Sequence, residues 1–471
     1  MLLNYTINLT RDAMKKSLLF LLIFSTSYGF GQPQYQATWA SIDSRPVPSW
    51  FEDSKFGIFI HWGLFSVPAW APTKVSLYEK YAEWYWMRLK NPGSETHKNF
   101  VEFHKATYGD RFQYQDFVKG FTCELFNPAE WASLFERSGA KYAVLTSKHH
   151  EGFALWPSKQ AWNWNAHDVG PHRDLAGDLT RAVKDKGLKM GFYYSLYEWF
   201  NPLYHSDVKR YVDEHMLPQM KDLVTQYHPD IFWTDGEWDH TSEVWKSPEF
   251  LAWLYNESPV KESVVVNDRW GKETRGKHGG IYTTEYDQVP DQSTSEKQIA
   301  HPWEECRGIG GSFGYNRNET LDDYSTSEQL VHILIDKVAR GGNLLLNIGP
   351  TADGRIPVIM QQRLTDIGNW LNVNGEAIYK TRRWEGAPPV RPETTEFFTR
   401  KGNDLFIICT RFPQRELTVN GVKKSSTVSM LGYDGKVTYF HKGNLKIAIP
   451  SFAPDKLPCQ YAWVFKIHDA F

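Results

Sequence analysis

The chain has 471 residues, too many for one ordinary core, which points to a large domain of about 250–350 residues with a smaller companion. It carries 53 Lys and Arg against 55 Asp and Glu, a formal net charge of -2 without long like-charge blocks, which argues against nucleic acid or anionic lipid as a partner. Aromatic residues make up 15% of the chain, 20 Trp and 24 Tyr among them, a surplus that serves either core packing or the flat faces of a sugar.

The first segment reads as a targeting signal. "MKKSLLFLLIFSTSYGFGQ" from Met14 has a basic start, a short apolar stretch and small residues near Gly29 and Gly31, the layout of a secretory signal peptide. Residues 1–13 read as an extension upstream of it, so residues 1–32 are set apart from the fold and the mature protein is expected to be exported, to a periplasm or outside the cell. The apolar stretch is too short to span a bilayer comfortably, and no later run approaches that length, so no membrane insertion is expected. The cysteines Cys123, Cys306, Cys409 and Cys459 are scattered without metal-ligand spacing. A bridge between Cys409 and Cys459 is an option in an oxidising compartment, but the fold should not depend on it.

Past the leader the same plan recurs. "SKFGIFIHWGLFSVPAW" reads as a strand, Phe56 to Ile60, ending in His61. "RSGAKYAVLTSKHHEGFALW" gives a helix ending near Gly139, a strand from Tyr142 to Thr146 and then polar residues. "KDKGLKMGFYYSLYEW" and "QYHPDIFWTDGEW" repeat it, "VVVNDRWG" (Val264 to Gly271) adds a fifth strand and "GGNLLLNIGPTADGRIP" a late one. Helical runs alternating with short apolar strands that end in polar residues are the mark of βα units in a parallel sheet. Their recurrence predicts an α/β fold, a (β/α)8-type barrel over residues 33–381 with its site at the carboxyl ends of the strands. "MQQRLTDIGNWLNVNGEAIY" has the apolar period of a closing helix. Beyond Thr381 short alternating segments such as "EFFTRKGNDLFIICTRF" and "YAWVFKIHD" predict an antiparallel β domain over residues 382–471.

Among candidate chemistries, His149 and His150 in "SKHHEGF" lack the spacing of a metal pair and read better as hydrogen-bonding groups for hydroxyls, as does His61. No metal and no cofactor is expected. "GGNLLLNIGP" lacks the lysine of a phosphate loop, and no GxSxG elbow is present. What remains is carboxylates at strand ends among aromatics. Glycoside hydrolysis uses one carboxylate at the anomeric carbon and one acid to protonate the leaving oxygen. Asp235 or Glu237 in "WTDGEW" fits the first role. Glu285 in "IYTTEYDQ" and Glu304 or Glu305 in "HPWEECRG" fit the second, and the residues alone do not choose among them.

"FGIFIHWGLFSVPAW", "YAEWY", "SKHHEGFALW", "WTDGEW", "VVNDRWG", "SFGYNRNE" and "GGNLLLNIGP", in this order, resemble the α-L-fucosidases of glycoside hydrolase family 29 from about Trp50 to Tyr379. The resemblance implies a retaining exo-fucosidase with a catalytic barrel and a C-terminal β-sandwich, acting on fucosylated oligosaccharides or glycoconjugates. It makes Asp235 the nucleophile. It favours Glu285 as acid/base, with Glu304 as second choice and Glu83 as third. It also implies that His61, His149 and His150 contact sugar hydroxyls, that Glu83 and Trp84 complete the rim, that Tyr194 and Arg269 line the pocket near the nucleophile, and that Phe313 meets the fucose methyl group. A barrel that only binds carbohydrate would have lost the carboxylates, and a retaining glycosidase for another sugar would differ in the wall facing the methyl. Linkage preference and oligomeric state, a homo-oligomer included, stay open.

Overall fold

Strands buried on both faces need near-continuous apolar sequence, and the runs identified above meet that demand. The computed structural model describes residues 35–287 and 301–471; the predicted leader lies outside the described residues. Eight parallel strands form one sheet: β1 (Phe56–Ile60), β2 (Tyr142–Lys148), β3 (Lys189–Ser195), β4 (Ile231–Asp235), β5 (Val265–Val266), β6 (Tyr282–Glu285), β7 (Trp303–Gly308) and β8 (Asn343–Ile348). Their order is β5–β4–β3–β2–β1–β8–β7–β6. The two ends meet through a parallel bridge between Asn267 and Ile281, with the Ile281 amide donating to the Val266 carbonyl at 2.9 Å, so the sheet closes into a barrel. Inside it, Phe59, Tyr142, Tyr193, Trp233, Cys306 and Leu345 belong to one buried cluster.

The fifth strand is much shorter than the sequence predicts. The Asn267 side chain explains this: its Nδ2 donates to the Thr234 carbonyl at 2.7 Å and its Oδ1 lies 3.2 Å from the Thr234 amide. A side-chain amide thus takes over the backbone pairing, and the main chain is released to form the loop that carries Arg269. No helix joins β5 to β6 among the described residues, so the barrel departs from a regular (β/α)8 repeat there. Some of the helices begin on side-chain caps. Asn127 accepts from the amides of Ala129 and Glu130 ahead of Pro128–Arg137, and Asp174 accepts from Gly177 ahead of Leu175–Asp185. The closing helix spans Val358–Asn374.

The C-terminal strands are antiparallel: β9 (Arg382–Arg383), β10 (Glu396–Lys401), β11 (Asp404–Cys409), β12 (Leu417–Val419), β13 (Thr427–Met430), β14 (Tyr439–Lys442), β15 (Asn444–Ile447) and β16 (Trp463–His468). They form a five-stranded sheet, β13–β16–β11–β10–β9, and a three-stranded sheet, β12–β15–β14. Leu405, Ile407, Phe465 and Ile467 of the first pack with Leu417, Leu445 and Ile447 of the second in one core, which makes the pair a sandwich. The bridge between Cys409 and Cys459 is absent. Cys409 is buried in this core as a free thiol, and the Cys459 thiol, also free, donates to the Ala462 carbonyl at 3.1 Å. Among the described residues no helix is long and apolar enough to cross a membrane.

Candidate active site

The carboxyl ends of the barrel strands open into a cavity of about 820 Å³. Asp235, the last residue of β4, is 8% exposed at its floor. Gly236 follows with φ +73°, and a Cβ there would lie 2.5 Å from Tyr197 Cβ. Only glycine fits a turn that sends both Asp235 and Glu237 into the cavity. Arg269 Nη1 donates to Asp235 Oδ1 at 2.7 Å, and the Tyr193 hydroxyl donates to Oδ2 at 2.9 Å. Arg269 is itself fixed: its Nε donates to Thr283 Oγ1 at 3.0 Å, Thr283 donates to Asp268 Oδ1 at 2.7 Å, and the guanidinium lies 4.5 Å over the Trp233 ring.

Glu285, the last residue of β6, enters the same cavity. Its Oε1 accepts from the Tyr81 hydroxyl at 2.7 Å, and its Oε2 lies 3.8 Å from Arg269 Nη2. One guanidinium therefore touches both carboxyl groups, at unequal distances. The two respond in opposite directions. Burial would raise the Asp235 pKa, but the charge of Arg269, helped by Arg275 at 3.8 Å, outweighs it and holds the carboxyl well below the usual carboxylate range. For Glu285 burial wins over the more distant Arg269, and its pKa is raised. Such a cavity pushes the two carboxyl pKa values apart, Asp235 toward the ionised form and Glu285 toward the protonated one.

The neighbouring imidazoles are neutral. Burial pushes His149 down to about 3 and holds His61 and His150 well below the ordinary histidine value. His61 Nδ1 contacts Asn347 Oδ1 at 2.7 Å and His150 Nδ1 contacts Ser195 Oγ at 2.6 Å, which orients both rings. A neutral imidazole offers one donor and one acceptor, the pattern that a hydroxyl group matches. Glu83 reaches the cavity from the turn Ala82–Trp84, where its Oε2 accepts from the Gly314 amide at 2.8 Å; burial raises its pKa to about 7. Trp84 meets His150 edge-on at 5.1 Å, and Phe313 presents an apolar ring that packs against Tyr81 at 5.3 Å.

Two predicted positions are corrected. Tyr194 does not line the cavity: its hydroxyl donates to Gln219 Oε1 at 2.7 Å, away from the barrel interior, and Tyr193 occupies the inward place. Successive strand residues face opposite ways, so a choice between two adjacent tyrosines inverts the face. Glu304 is also outside the cavity lining. It is the second residue of β7 and pairs in register with Thr283, two residues below Glu285, which sets it about 7 Å deeper at ~3.3 Å per residue. There it accepts from the Tyr142 hydroxyl and, at 3.2 Å, from Trp233 Nε1. Glu305 pairs with Arg307 at 2.9 Å, and Glu237 accepts from Arg275 Nε at 2.5 Å.

Sequence reasoning missed Tyr81, Tyr193, Trp233 and Arg275. Trp233 was within reach, since it lies two residues before Asp235 on one strand and must share its face. Arg275 and Tyr81 come from irregular segments that carry no periodic signal. Among the described residues no group of three or more His, Cys, Asp or Glu is placed to hold a metal ion.

Comparison with known proteins identifies similar chains over nearly the whole length. The family model described as alpha-L-fucosidase matches residues 22–376, and that of the alpha-L-fucosidase C-terminal domain matches residues 393–468. An alpha-L-fucosidase of Branchiostoma floridae is 43% identical, with 95% of this chain and 98% of that protein aligned. The tissue alpha-L-fucosidase of Homo sapiens is 42% identical over 96% of each chain. The solved structure of the Thermotoga maritima alpha-fucosidase in complex with a mechanism-based inhibitor superposes with a TM-score of 0.75 at 36% identity, covering 92% of this chain and 99% of that one.

Proposed function

The chain belongs to the α-L-fucosidase family and is a glycoside hydrolase, and from that premise we propose that it removes terminal α-L-fucosyl residues with retention of configuration, using Asp235 as nucleophile and Glu285 as acid/base. In the first step an Asp235 oxygen attacks the anomeric carbon while the glycosidic oxygen leaves with the Glu285 proton. The product is a fucosyl ester on Asp235. In the second step Glu285, now a carboxylate, takes a proton from water; the water oxygen attacks the same carbon and Asp235 departs as carboxylate. The observation that carries this reading is the Arg269 guanidinium, 2.7 Å from Asp235 and 3.8 Å from Glu285, which holds the Asp235 pKa down while burial raises that of Glu285.

Oε1 of Glu285 is engaged by Tyr81, so Oε2 carries the transferable proton. His61, His149, His150 and Glu83 take the sugar hydroxyls, with Trp84 beside them. The Phe313 ring faces the 6-methyl group, where the hydroxymethyl of galactose would need a polar partner. The leader within residues 1–32 exports the protein. Asp235→Ala tests the nucleophile: turnover should fall by several orders of magnitude with the fold intact, and azide should restore part of it, giving a fucosyl azide of inverted configuration. Near-normal turnover of this variant would overturn the assignment.

A further inference from the structure

The cavity extends past the carboxyl pair to a mouth built differently from its floor. Tyr78 and Trp238 line it with half-open rings, 48% and 39% exposed. The loop after β5 supplies Lys272, Arg275 and Lys277 to the same cavity. Arg275 is engaged by Glu237, and Arg88, on the facing segment, is paired with Glu79 at 2.9 Å. Lys272 and Lys277 are exposed, and neither forms an ion pair among the described residues. Glu273, the acid between them, also borders the cavity, but its Oε1 is bound to helix Ser242–Trp245, accepting from the Ser242 amide at 2.9 Å and its hydroxyl at 2.5 Å. The loop is held in shape: Thr274 Oγ1 donates to the Asp268 carbonyl at 2.7 Å, and the Gly276 amide donates to Asp268 Oδ2 at 2.9 Å. Gly271 packs so closely on Ser242 that a Cβ would lie 2.4 Å from its nitrogen.

A fucosyl ring is uncharged, so the floor needs no free cation, and a chain of net charge -2 has no general surplus of them. We propose that the leaving-group side of this cavity is a subsite for an anionic glycan, in which Lys272 and Lys277 meet a sulfate ester or carboxylate on the sugar that bears the fucose, while Tyr78 and Trp238 take its apolar faces. This rests on the fucosidase reading above. Lysine suits the task, since a mobile ammonium serves as a point charge for an anionic group whose place varies between glycans.

The test compares kcat/KM for three fucosyl disaccharides with neutral, sulfated and uronic-acid leaving sugars. At low ionic strength an anionic substrate should be preferred about fivefold, the combined effect of two exposed charge pairs. The preference should fade near 1 M salt, where the screening length is ~3 Å. Lys272→Ala/Lys277→Ala should bring the anionic-to-neutral ratio to about one, while the Arg double variant keeps it. A ratio taken within each variant cancels any general loss of folded enzyme. Preference for the sulfate or for the uronic acid alone identifies the group. A wild-type ratio of one, or a ratio indifferent to the double substitution, overturns the subsite. Failure of the wild type to cleave any of the three would instead count against the fucosidase reading.

Discussion

Replacing Arg269 isolates the electrostatic basis of the site. Arg269→Met keeps the length of the side chain and removes its charge. The guanidinium is 2% exposed and 2.7 Å from Asp235. For charge centres ~4 Å apart at an effective dielectric constant of ~20, the attraction is on the order of 4 kcal/mol. Without it, burial is opposed by the more distant Arg275 at 3.8 Å and by the Tyr193 hydroxyl bond, so the Asp235 pKa should rise. Two effects follow. The acid limb of kcat/KM, below the working range in the wild type, should move up into it, and kcat/KM at the optimum should fall by about 10²- to 10³-fold. Arg269→Lys retains a charge but cannot reach Asp235, Glu285 and Thr283 together, so it should lower the level while leaving the acid limb near its original place. The assay is the pH dependence of aryl fucoside hydrolysis, with thermal unfolding as control for the fold. An Arg269→Met enzyme with the wild-type pH profile at a reduced level would refute the argument that Arg269 keeps Asp235 ionised.

Glu285→Ala should harm natural fucosides far more than aryl fucosides whose phenolate leaves unprotonated, and azide should accelerate it to a product of retained configuration; Glu304→Gln should change both substrates alike and give no azide product. Tyr81→Phe deletes the hydrogen bond that favours ionised Glu285, so the alkaline limb should move to higher pH; movement to lower pH would contradict the assigned role of that bond. Burial raises Glu83, Glu304 and Glu319 to about 7 and Glu151 to about 8. Between the unfolded glutamate value of ~4.3 and these values the folded state binds more protons on these four groups, so their own contribution to stability should fall as pH rises from 5 to 8, while the buried His61, His149 and His150 contribute in the opposite direction below ~6.5. Glu304→Gln should flatten the pH dependence of the melting temperature by removing a contribution on the order of 3 kcal/mol, and an unchanged slope would count against a proton on Glu304.

The barrel was legible because its strands are buried on both faces and end abruptly in polar residues; "PDIFWTD" announces both β4 and the acid at its mouth. The sandwich was legible from alternation, as in β15, where inward Leu445 and Ile447 alternate with exposed Asn444 and half-buried Lys446. Depth along a strand was harder to read. "WEECRG" is the whole of β7 and Glu304 its second residue, low in the barrel, whereas "YTTE" is the whole of β6 and Glu285 its last residue, at the mouth. Both carboxyls follow an apolar or β-forming stretch, and only the strand start separates them. Tyr193 and Tyr194 differ by one residue in register, which identical side chains cannot reveal. Arg275 and Tyr81 depend on long-range packing of irregular segments. The Lys272 and Lys277 ammonium groups gained meaning only once the loop was seen to face the cavity.

The neutrality of the three histidines bears on how one glutamate serves as acid and then as base. A charged imidazole in the cavity would stabilise the Glu285 carboxylate and lower its pKa; burial of His61, His149 and His150 disfavours that charge. The nearest positive charge to Glu285 is then Arg269, and its bond is made to Asp235, not to Glu285. Asp235 itself raises the Glu285 pKa through its negative charge. Once Asp235 is esterified that charge is gone, and Arg269 is left with Glu285 as its remaining carboxylate. The Glu285 pKa must therefore fall in the intermediate, which is what the second step requires of a base. Carbon-13 NMR of labelled Glu285, in free enzyme and in enzyme trapped as a fluorofucosyl ester, should show that fall; a value that rises on trapping would break the link between the carboxyl pair and the two-step course. On the proposed roles, the chemistry that consumes the charge of Asp235 is thus the same event that readies Glu285 as base.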